Sequence, residues 1–208
     1  MDDMLRKQIF SRHLRPVVWV AVSVLGLACG DPTRTKATYT SVFESFTVYT
    51  LNGAPTASPN ALSFIGGGVR ASSAFGFDIA FEIDASGKTV IYPVRTLGGA
   101  LAGTLKRVGL QTVPTAFADL LETPDPKASP YDTVSVKTVA VGTTVAVELR
   151  DSGACYTNTL LSPLASQLIY AKMIVDSVNV DKRLVYGRIV FDPNCGYRGV
   201  IPDSIPRN

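Results

Sequence analysis

The sequence predicts a mainly β domain, an antiparallel β-sandwich or a partly open barrel with one short helix. Three observations support this prediction. Residues 75–84 alternate strictly between apolar and polar side chains, and residues 39–51 are rich in Thr, Val, Phe and Tyr. Residues 168–191 form two long apolar segments around a polar turn. Together with weaker signals, these segments indicate about seven to nine strands.

The first half of the domain contains a strand and a hairpin. Residues 39–51 predict the first strand, because β-branched and aromatic residues favour extended backbone, and residues 52–60 predict a loop. Within residues 75–84, five apolar side chains share one face, which indicates a strand with one buried side and one solvent-exposed side. Residues 85–88 predict a turn, and residues 89–94 predict the returning strand.

The second half begins with the predicted helix. Residues 113–123 favour a helix of two turns, which a Pro-rich segment ends. Strand signals return at residues 131–141 and 143–150, joined by a turn or bulge. The last hairpin pairs residues 168–180 with residues 184–191, and both arms are predicted to be largely buried.

The N-terminal 28 residues are typical of a secretory signal peptide. Basic residues precede a twelve-residue apolar run, VVWVAVSVLGLA, whereas a membrane-spanning helix needs roughly 20 apolar residues. The sequence therefore divides into a signal peptide at residues 1–28, a tether at residues 29–37 and a single β domain at residues 38–208. The tether is polar and contains Pro32, which favours a flexible connection.

The segment LGLAC, which ends at Cys29, resembles the lipobox of bacterial lipoproteins. The resemblance covers the first 29 residues, with Gly26 standing where Leu is usual. It implies that Cys29 is alkylated with diacylglycerol and becomes the new N-terminus, which makes residues 29–37 a lipid-anchored tether. Three acyl chains, such as palmitate, would hold the protein more firmly than a single chain. The alternative is an ordinary signal peptide cut near Ala28, which leaves a free thiol.

The resemblance also implies a location in the cell envelope, on the periplasmic or the outer-membrane face. Gly30 follows the cysteine, and a similarity to the enterobacterial sorting rule favours the outer membrane, because Asp at that place retains lipoproteins in the inner membrane. Asp31 stands one position later, so the choice between inner and outer membrane stays open.

Charge and missing residue types exclude several functions. Residues 1–28 hold four of the 20 basic and two of the 17 acidic residues. The rest of the chain therefore has 16 basic and 15 acidic residues and is nearly neutral. This part of the chain lacks the excess of positive charge that nucleic-acid binding requires. The only histidine, His13, lies in the predicted signal peptide, so Ser-His-Asp and Cys-His catalysis and the usual zinc or haem ligand are excluded. We predict no cofactor, no metal and no enzymatic activity.

Two cysteines remain after Cys29. Cys155 and Cys195 are predicted to form a structural disulfide in the oxidising envelope, worth roughly 3 to 4 kcal/mol in the chain-entropy model. The alternative is a redox pair, although neither residue has the close spacing or the basic neighbours that lower a thiol pKa.

Two tyrosines flank the predicted disulfide and are the candidate ligand-binding residues. Tyr156 and Tyr197 each follow a cysteine within two positions, and tyrosines at loop tips often furnish binding surfaces. The alternative is that they cover the edge of the core with the hydroxyl at the surface.

Asp78, Glu82 and Asp84 share one face of the predicted strand. A solvated outer face is the favoured interpretation; a calcium site or a catalytic carboxylate pair is the alternative. The sequence thus favours a lipid-anchored envelope protein, attached to the membrane through its N-terminal lipid, that binds or scaffolds an envelope protein or a glycan. The alternative function is a glycan-acting hydrolase of carboxylate type.

Overall fold

A computed structural model of the chain describes residues 37–104, 106–150 and 168–207. Within these residues, ten strands form two antiparallel five-stranded sheets. Neither sheet closes on itself, so the predicted mainly β fold is confirmed in the form of a sandwich. Cys29 and the other residues of the predicted signal peptide and lipobox lie outside the described residues.

The strands are numbered in chain order. In spatial order the first sheet contains β1 (Val42–Tyr49), β10 (Leu184–Asp192), β9 (Leu168–Asn179), β8 (Thr144–Arg150) and β6 (Arg107–Val113). The second sheet contains β3 (Gly67–Val69), β2 (Ala61–Ser63), β4 (Ile79–Ile83), β5 (Thr89–Pro93) and β7 (Lys137–Val139). Two short 3₁₀ helices, Val94–Leu97 and Gly99–Leu101, follow β5.

The main core lies between the two sheets. Alternate residues of β9, from Ile169 to Val175, face it together with the alternate apolar residues of the other long strands. The rings of Phe46 on β1 and Phe81 on β4 stack across the sandwich with 5.4 Å between centroids. This core is one contiguous cluster that contains residues of both sheets.

The first sheet is also covered on its other face. The residues of β9 and β10 that alternate with the core positions, Ile174 and Val190, pack against Phe117 and Val200. Further along this outer face, Tyr131 packs with Ala146 and Tyr170. Residues 114–133 and the segment after β10 therefore form a layer over the sheet. This second covering explains why β9 is apolar on both faces, as predicted for the last hairpin.

Residues 113–123 do not form the predicted helix. Val113 is the last residue of β6, paired with Thr144 of β8. Beyond it the chain makes a single turn, in which the backbone N–H groups of Asp119 and Leu120 both donate to the carbonyl of Ala116. The spacing of Phe117 and Leu120 resembles a helix, but both side chains are buried in the layer over the first sheet.

The alternating segment at residues 75–84 gives a shorter strand than predicted. β4 begins at Ile79, and Phe75 is 53% exposed instead of buried. The predicted solvent-exposed side is wrong at two positions, because Asp78 and Ala80 are both buried. A carboxylate in that environment requires partners, which are described below.

The two ends of the sandwich differ in what they carry. Residues 37–41, which we call the lead segment, run directly into β1. At the same end of the first sheet, β10 ends at Asp192, and Arg107 of β6 pairs with Arg150 of β8. We call this the proximal end. The opposite, distal end contains the turn at residues 181–183 that joins β9 to β10.

At the distal end, Arg183 joins the two sheets. Its guanidinium forms a salt bridge with Glu82 of β4, and its Nε donates to Thr50 Oγ1 at 3.1 Å. Arg183 has a φ of 58°, the left-handed conformation that a tight hairpin turn requires. The predicted turn at residues 181–183 is therefore confirmed, and one of its side chains holds the second sheet.

Gly187 provides a test of the packing between β1 and β10. A Cβ at this position would lie within 3.0 Å of the Ile174 carbonyl oxygen and of the Phe46 ring. We expect Gly187→Ala to reduce the free energy of unfolding by about 3 kcal/mol, because the rigid backbone of β9 cannot yield. Gly76→Ala is the control, since a Cβ there meets no atom within 4 Å. Urea denaturation measures both; equal stability of the two variants would contradict the packing described.

Candidate functional site

The lead segment is held by side chains that follow β10. Asn194 Oδ1 accepts hydrogen bonds from the backbone N–H groups of Thr38 at 2.9 Å and Tyr39 at 3.1 Å, and its Nδ2 donates to the Tyr39 carbonyl at 2.8 Å. The hydroxyl of Tyr197 accepts from the N–H of Ala37 at 3.1 Å. A single amide side chain thus satisfies three backbone groups, as a neighbouring strand would.

Ser41 continues this attachment further along the chain. Its N–H donates to the Ser204 carbonyl at 2.9 Å, and its Oγ donates to the Gly199 carbonyl at 3.2 Å. Ser41 also forms a parallel bridge with Pro202. The segment after β10 therefore fixes the point at which the chain enters the sandwich.

Asp192 orders the residue that makes these bonds. Its Oδ1 accepts from the Asn194 N–H at 2.8 Å and from Asn194 Nδ2 at 2.6 Å. The carboxylate is fully buried, and its Oδ2 has no hydrogen-bond partner among the described residues. Burial raises the pKa of Asp192 to about 6, although the hydrogen bonds from Asn194 oppose this shift.

Two apolar grooves open beside the lead segment. The first has a volume of about 380 Å³ and is lined by Tyr39, Val42, Ile65, Phe191 and Pro193, with Thr40 and Glu44. Tyr39 and Ile65 are both more than a third exposed. The groove therefore offers an aromatic and aliphatic rim within a few residues of the point of attachment.

The second groove includes Gly199 and Ser204, whose carbonyls accept hydrogen bonds from Ser41. It has a volume of about 770 Å³ and is formed by Leu121 and Glu122 against the segment from Gly199 to Arg207. Leu121, Ile201 and Ile205 are each more than 40% exposed. Half-exposed aliphatic side chains that share one concave surface are typical of interaction sites.

A third groove at the proximal end is basic. It has a volume of about 390 Å³, and Arg95 from the first 3₁₀ helix and Arg107 from β6 line it with Thr96, Ala102, Thr133 and Val134. Arg107 lies at the start of β6, so this groove opens at the same end of the sandwich as the lead segment.

The residues predicted from the sequence fall partly within this region. Tyr197 is 7% exposed, and its hydroxyl accepts a hydrogen bond from Ala37. It therefore covers the edge of the core, which was the alternative to a ligand-binding role. Cys195 is buried in the same segment. Cys155 and Tyr156 lie outside the described residues, as Cys29 does. The disulfide and a ligand contact of Tyr156 stay predictions.

The three acidic residues of the predicted strand face do not form a common site. Asp78 is buried; its Oδ2 accepts from the Phe64 N–H at 2.6 Å and its Oδ1 contacts Lys106 Nζ at 2.7 Å. Glu82 is bonded to Arg183 and to the N–H of Asn52.

Asp84 caps the turn of the first hairpin. Its carboxylate accepts from Ser86 and Lys88, and the hydrogen bond from the Ser86 hydroxyl is the main cause that lowers the pKa of Asp84. Each of the three carboxylates thus stabilises local backbone. The predicted solvated face is therefore wrong for Asp78, whereas Asp84 remains accessible to solvent.

Sequence reasoning missed a buried polar cluster on the outer face of the first sheet. The Tyr170 hydroxyl donates to Glu148 at 3.3 Å, and burial raises the pKa of Glu148. Nearby, Lys172 is 2% exposed, and its Nζ donates to the Leu120 carbonyl at 2.8 Å. Burial lowers the pKa of Lys172, and its ammonium lies 4.9 Å from the centre of the Phe117 ring.

The described parts of the chain contain no group of three or more His, Cys, Asp or Glu side chains arranged to hold a metal ion. None of the helices in those parts is long and apolar enough to cross a membrane. Comparison of the chain with protein-family models, with curated proteins and with solved structures gives no match.

Asp192 predicts a specific pH dependence of stability. Its pKa is raised on folding, so it stabilises the folded protein when protonated, and this contribution is lost as the pH rises through about 6. We expect this group to make the protein about 1 kcal/mol more stable at pH 5.0 than at pH 7.5. Asp192→Asn cannot titrate, so the variant should lack this difference.

The comparison uses urea denaturation of both proteins at the two pH values. Subtracting the variant's free energies of unfolding from those of wild type removes the contributions of the other titrating groups. One of these is Glu148, whose pKa is also raised. An identical pH dependence in wild type and variant would contradict the assignment to Asp192.

Proposed function

We propose that this chain is a cell-envelope lipoprotein, attached to the membrane through Cys29, whose β-sandwich binds or scaffolds a partner without catalysing a reaction. The observation that carries the proposal is the convergence of surfaces at the proximal end. Two apolar grooves flank the lead segment, and that segment is held to the fold by Asn194, Tyr197 and Ser41.

The length of the tether supports a membrane-proximal role for these grooves. Ala37 lies eight positions after Cys29, and an extended chain covers at most about 3.5 Å per position, so the reach is about 28 Å. A domain on such a tether keeps its proximal end close to the bilayer. A partner that meets the grooves would therefore be another component of the envelope, either a protein or a glycan.

The chemistry of the described residues favours binding over hydrolysis. A glycosidase of carboxylate type needs two carboxyl groups on opposite sides of a cleft, about 5 to 10 Å apart. Asp78, Glu82 and Asp84 instead bond to backbone and cations within the fold. The glycan-acting hydrolase thus lacks a supporting observation and stays the weaker proposal.

The proposal includes the disulfide between Cys155 and Cys195 and an outer-membrane location. Cys195 lies one residue after Asn194, which binds the lead segment. A covalent link there would reinforce the attachment of the lead segment, because it restricts the same backbone. The preference for the outer membrane is based only on Gly30, the residue that follows Cys29.

The anchor is tested by mass spectrometry of the native protein isolated from membranes. We expect an N-terminal peptide that begins at Cys29 and carries the mass of the added acyl groups. Cys29→Ser should release the protein from the membrane fraction or leave the unprocessed precursor. Residues 1–28 on an unmodified wild-type chain, or a soluble wild-type protein, would contradict the anchor.

The binding role is tested by site-specific photo-crosslinking in native membranes. A photo-reactive residue at Ile65, in the first groove, should give a discrete crosslinked product. The same residue at Val180 is the matched control, because Val180 is 50% exposed at the distal end. Equal products from the two positions, or none from Ile65, would contradict a partner at the groove.

A further inference from the structure

Two arginines line the basic groove, and neither is neutralised by the fold. Arg95 and Arg107 form no salt bridge with any residue in the described parts of the chain. Arg95 Nε donates to the Ala102 carbonyl at 3.3 Å, and that residue also lines the groove. This hydrogen bond fixes one edge of the guanidinium and leaves its terminal nitrogens available to a ligand.

A third arginine, Arg150, lies next to the groove because it pairs with Arg107 in the first sheet. Arg107 of β6 lies directly opposite Arg150 of β8 in the register of the first sheet. Like charges in this position repel each other and destabilise a sheet. Arg150 forms no salt bridge within the described residues either. The fold therefore keeps an unfavourable pair of cations beside a third cation.

The acidic residues near this cluster bond to other groups of the fold. Asp78 contacts Lys106, the residue before Arg107, at 2.7 Å. Asp132 precedes Thr133 of the groove, and its Oδ1 accepts from the backbone N–H groups of Val134 and Ser135.

Glu148 lies two positions before Arg150 on the same strand face. It accepts a hydrogen bond from Tyr170 and is half-buried, while Arg150 is exposed. The three arginines Arg95, Arg107 and Arg150 outnumber the neighbouring carboxylates of Asp132 and Glu148, so the net charge at the mouth of the groove is positive, which favours an anionic ligand.

The chemistry of guanidinium groups identifies the class of anion. Their planar N–H pairs match the oxygen atoms of phosphate, and phosphate accepts hydrogen bonds from several donors at once. A groove of about 390 Å³ is large enough for a phosphate group with part of the molecule that carries it.

We propose that the groove between Arg95 and Arg107 binds the phosphate group of a ligand, with Arg150 adding to its positive field. Phosphate of this kind comes from a phospholipid headgroup or from a soluble phosphorylated molecule. The proposal names a ligand class for the binding role proposed above and rests on that role. It does not require the lipid on Cys29, because the groove is formed by the sandwich itself.

The test uses the full protein, isolated from membranes in a neutral detergent, and pyrophosphate as the probe. Isothermal titration should show saturable one-site binding. Arg107→Gln should weaken it at least about tenfold, because a charge-assisted hydrogen bond and a charge are lost. Lys182→Gln is the matched control; it removes the same charge from an exposed side chain in the distal turn and should leave the affinity unchanged.

Thermal stability gives a second readout that a structural role would not produce. Without pyrophosphate, Arg107→Gln should melt at a higher temperature than wild type, because the repulsion with Arg150 is removed. At a pyrophosphate concentration near the Kd of wild type, wild type and Lys182→Gln should gain stability, and Arg107→Gln should gain much less. Absence of binding, an equal loss in both variants, or equal pyrophosphate stabilisation of Arg107→Gln and wild type would overturn the proposal.

Competition separates the two sources of phosphate. Short-chain phosphatidylglycerol that displaces pyrophosphate from wild type assigns the groove to a lipid headgroup. Pyrophosphate binding without displacement by this lipid assigns it to a soluble phosphorylated ligand, and both results support the site. Mass spectrometry of Cys29 is independent of this titration, so a failed anchor and a failed phosphate site are distinguishable.

Discussion

The first sheet is buried on both faces, and most of the architecture follows from this constraint. One face packs on the second sheet, and the other is covered by residues 114–133 and by the segment after β10. A strand in this position cannot leave a polar group without a partner except at a cost in stability. Lys172 and Glu148 therefore find a carbonyl and a hydroxyl, and each has a pKa shifted by burial.

The same constraint explains which elements could be predicted from the sequence. The last hairpin is dense in Val, Ile and Tyr over more than twenty residues, and its double burial makes the signal continuous. β1 and the hairpin of β4 and β5 could also be predicted, because their residue types favour extended backbone. By contrast, β2 and β3 have three residues each, which is too short for any periodic pattern.

Other features depend on contacts that no local pattern encodes. Phe117 and Leu120 have helical spacing, but tertiary packing against the outer face determines their conformation. Asp78 looks like a surface carboxylate in its strand, and only the position of Phe64 and Lys106 shows that it is buried and bonded. Likewise, Arg95 and Arg107 are brought together by the fold, so their groove could not be inferred from sequence spacing.

The attachment of the lead segment has a consequence for biogenesis. Thr38 is held by Asn194, which lies 156 residues later in the chain. During synthesis, the domain cannot close until that distant segment has been made, whereas the lead segment emerges early. Contacts of such long range form slowly, and the unfinished chain exposes its apolar strands meanwhile. A holdase chaperone would therefore find its substrate in the interval between the synthesis of Thr38 and the arrival of Asn194.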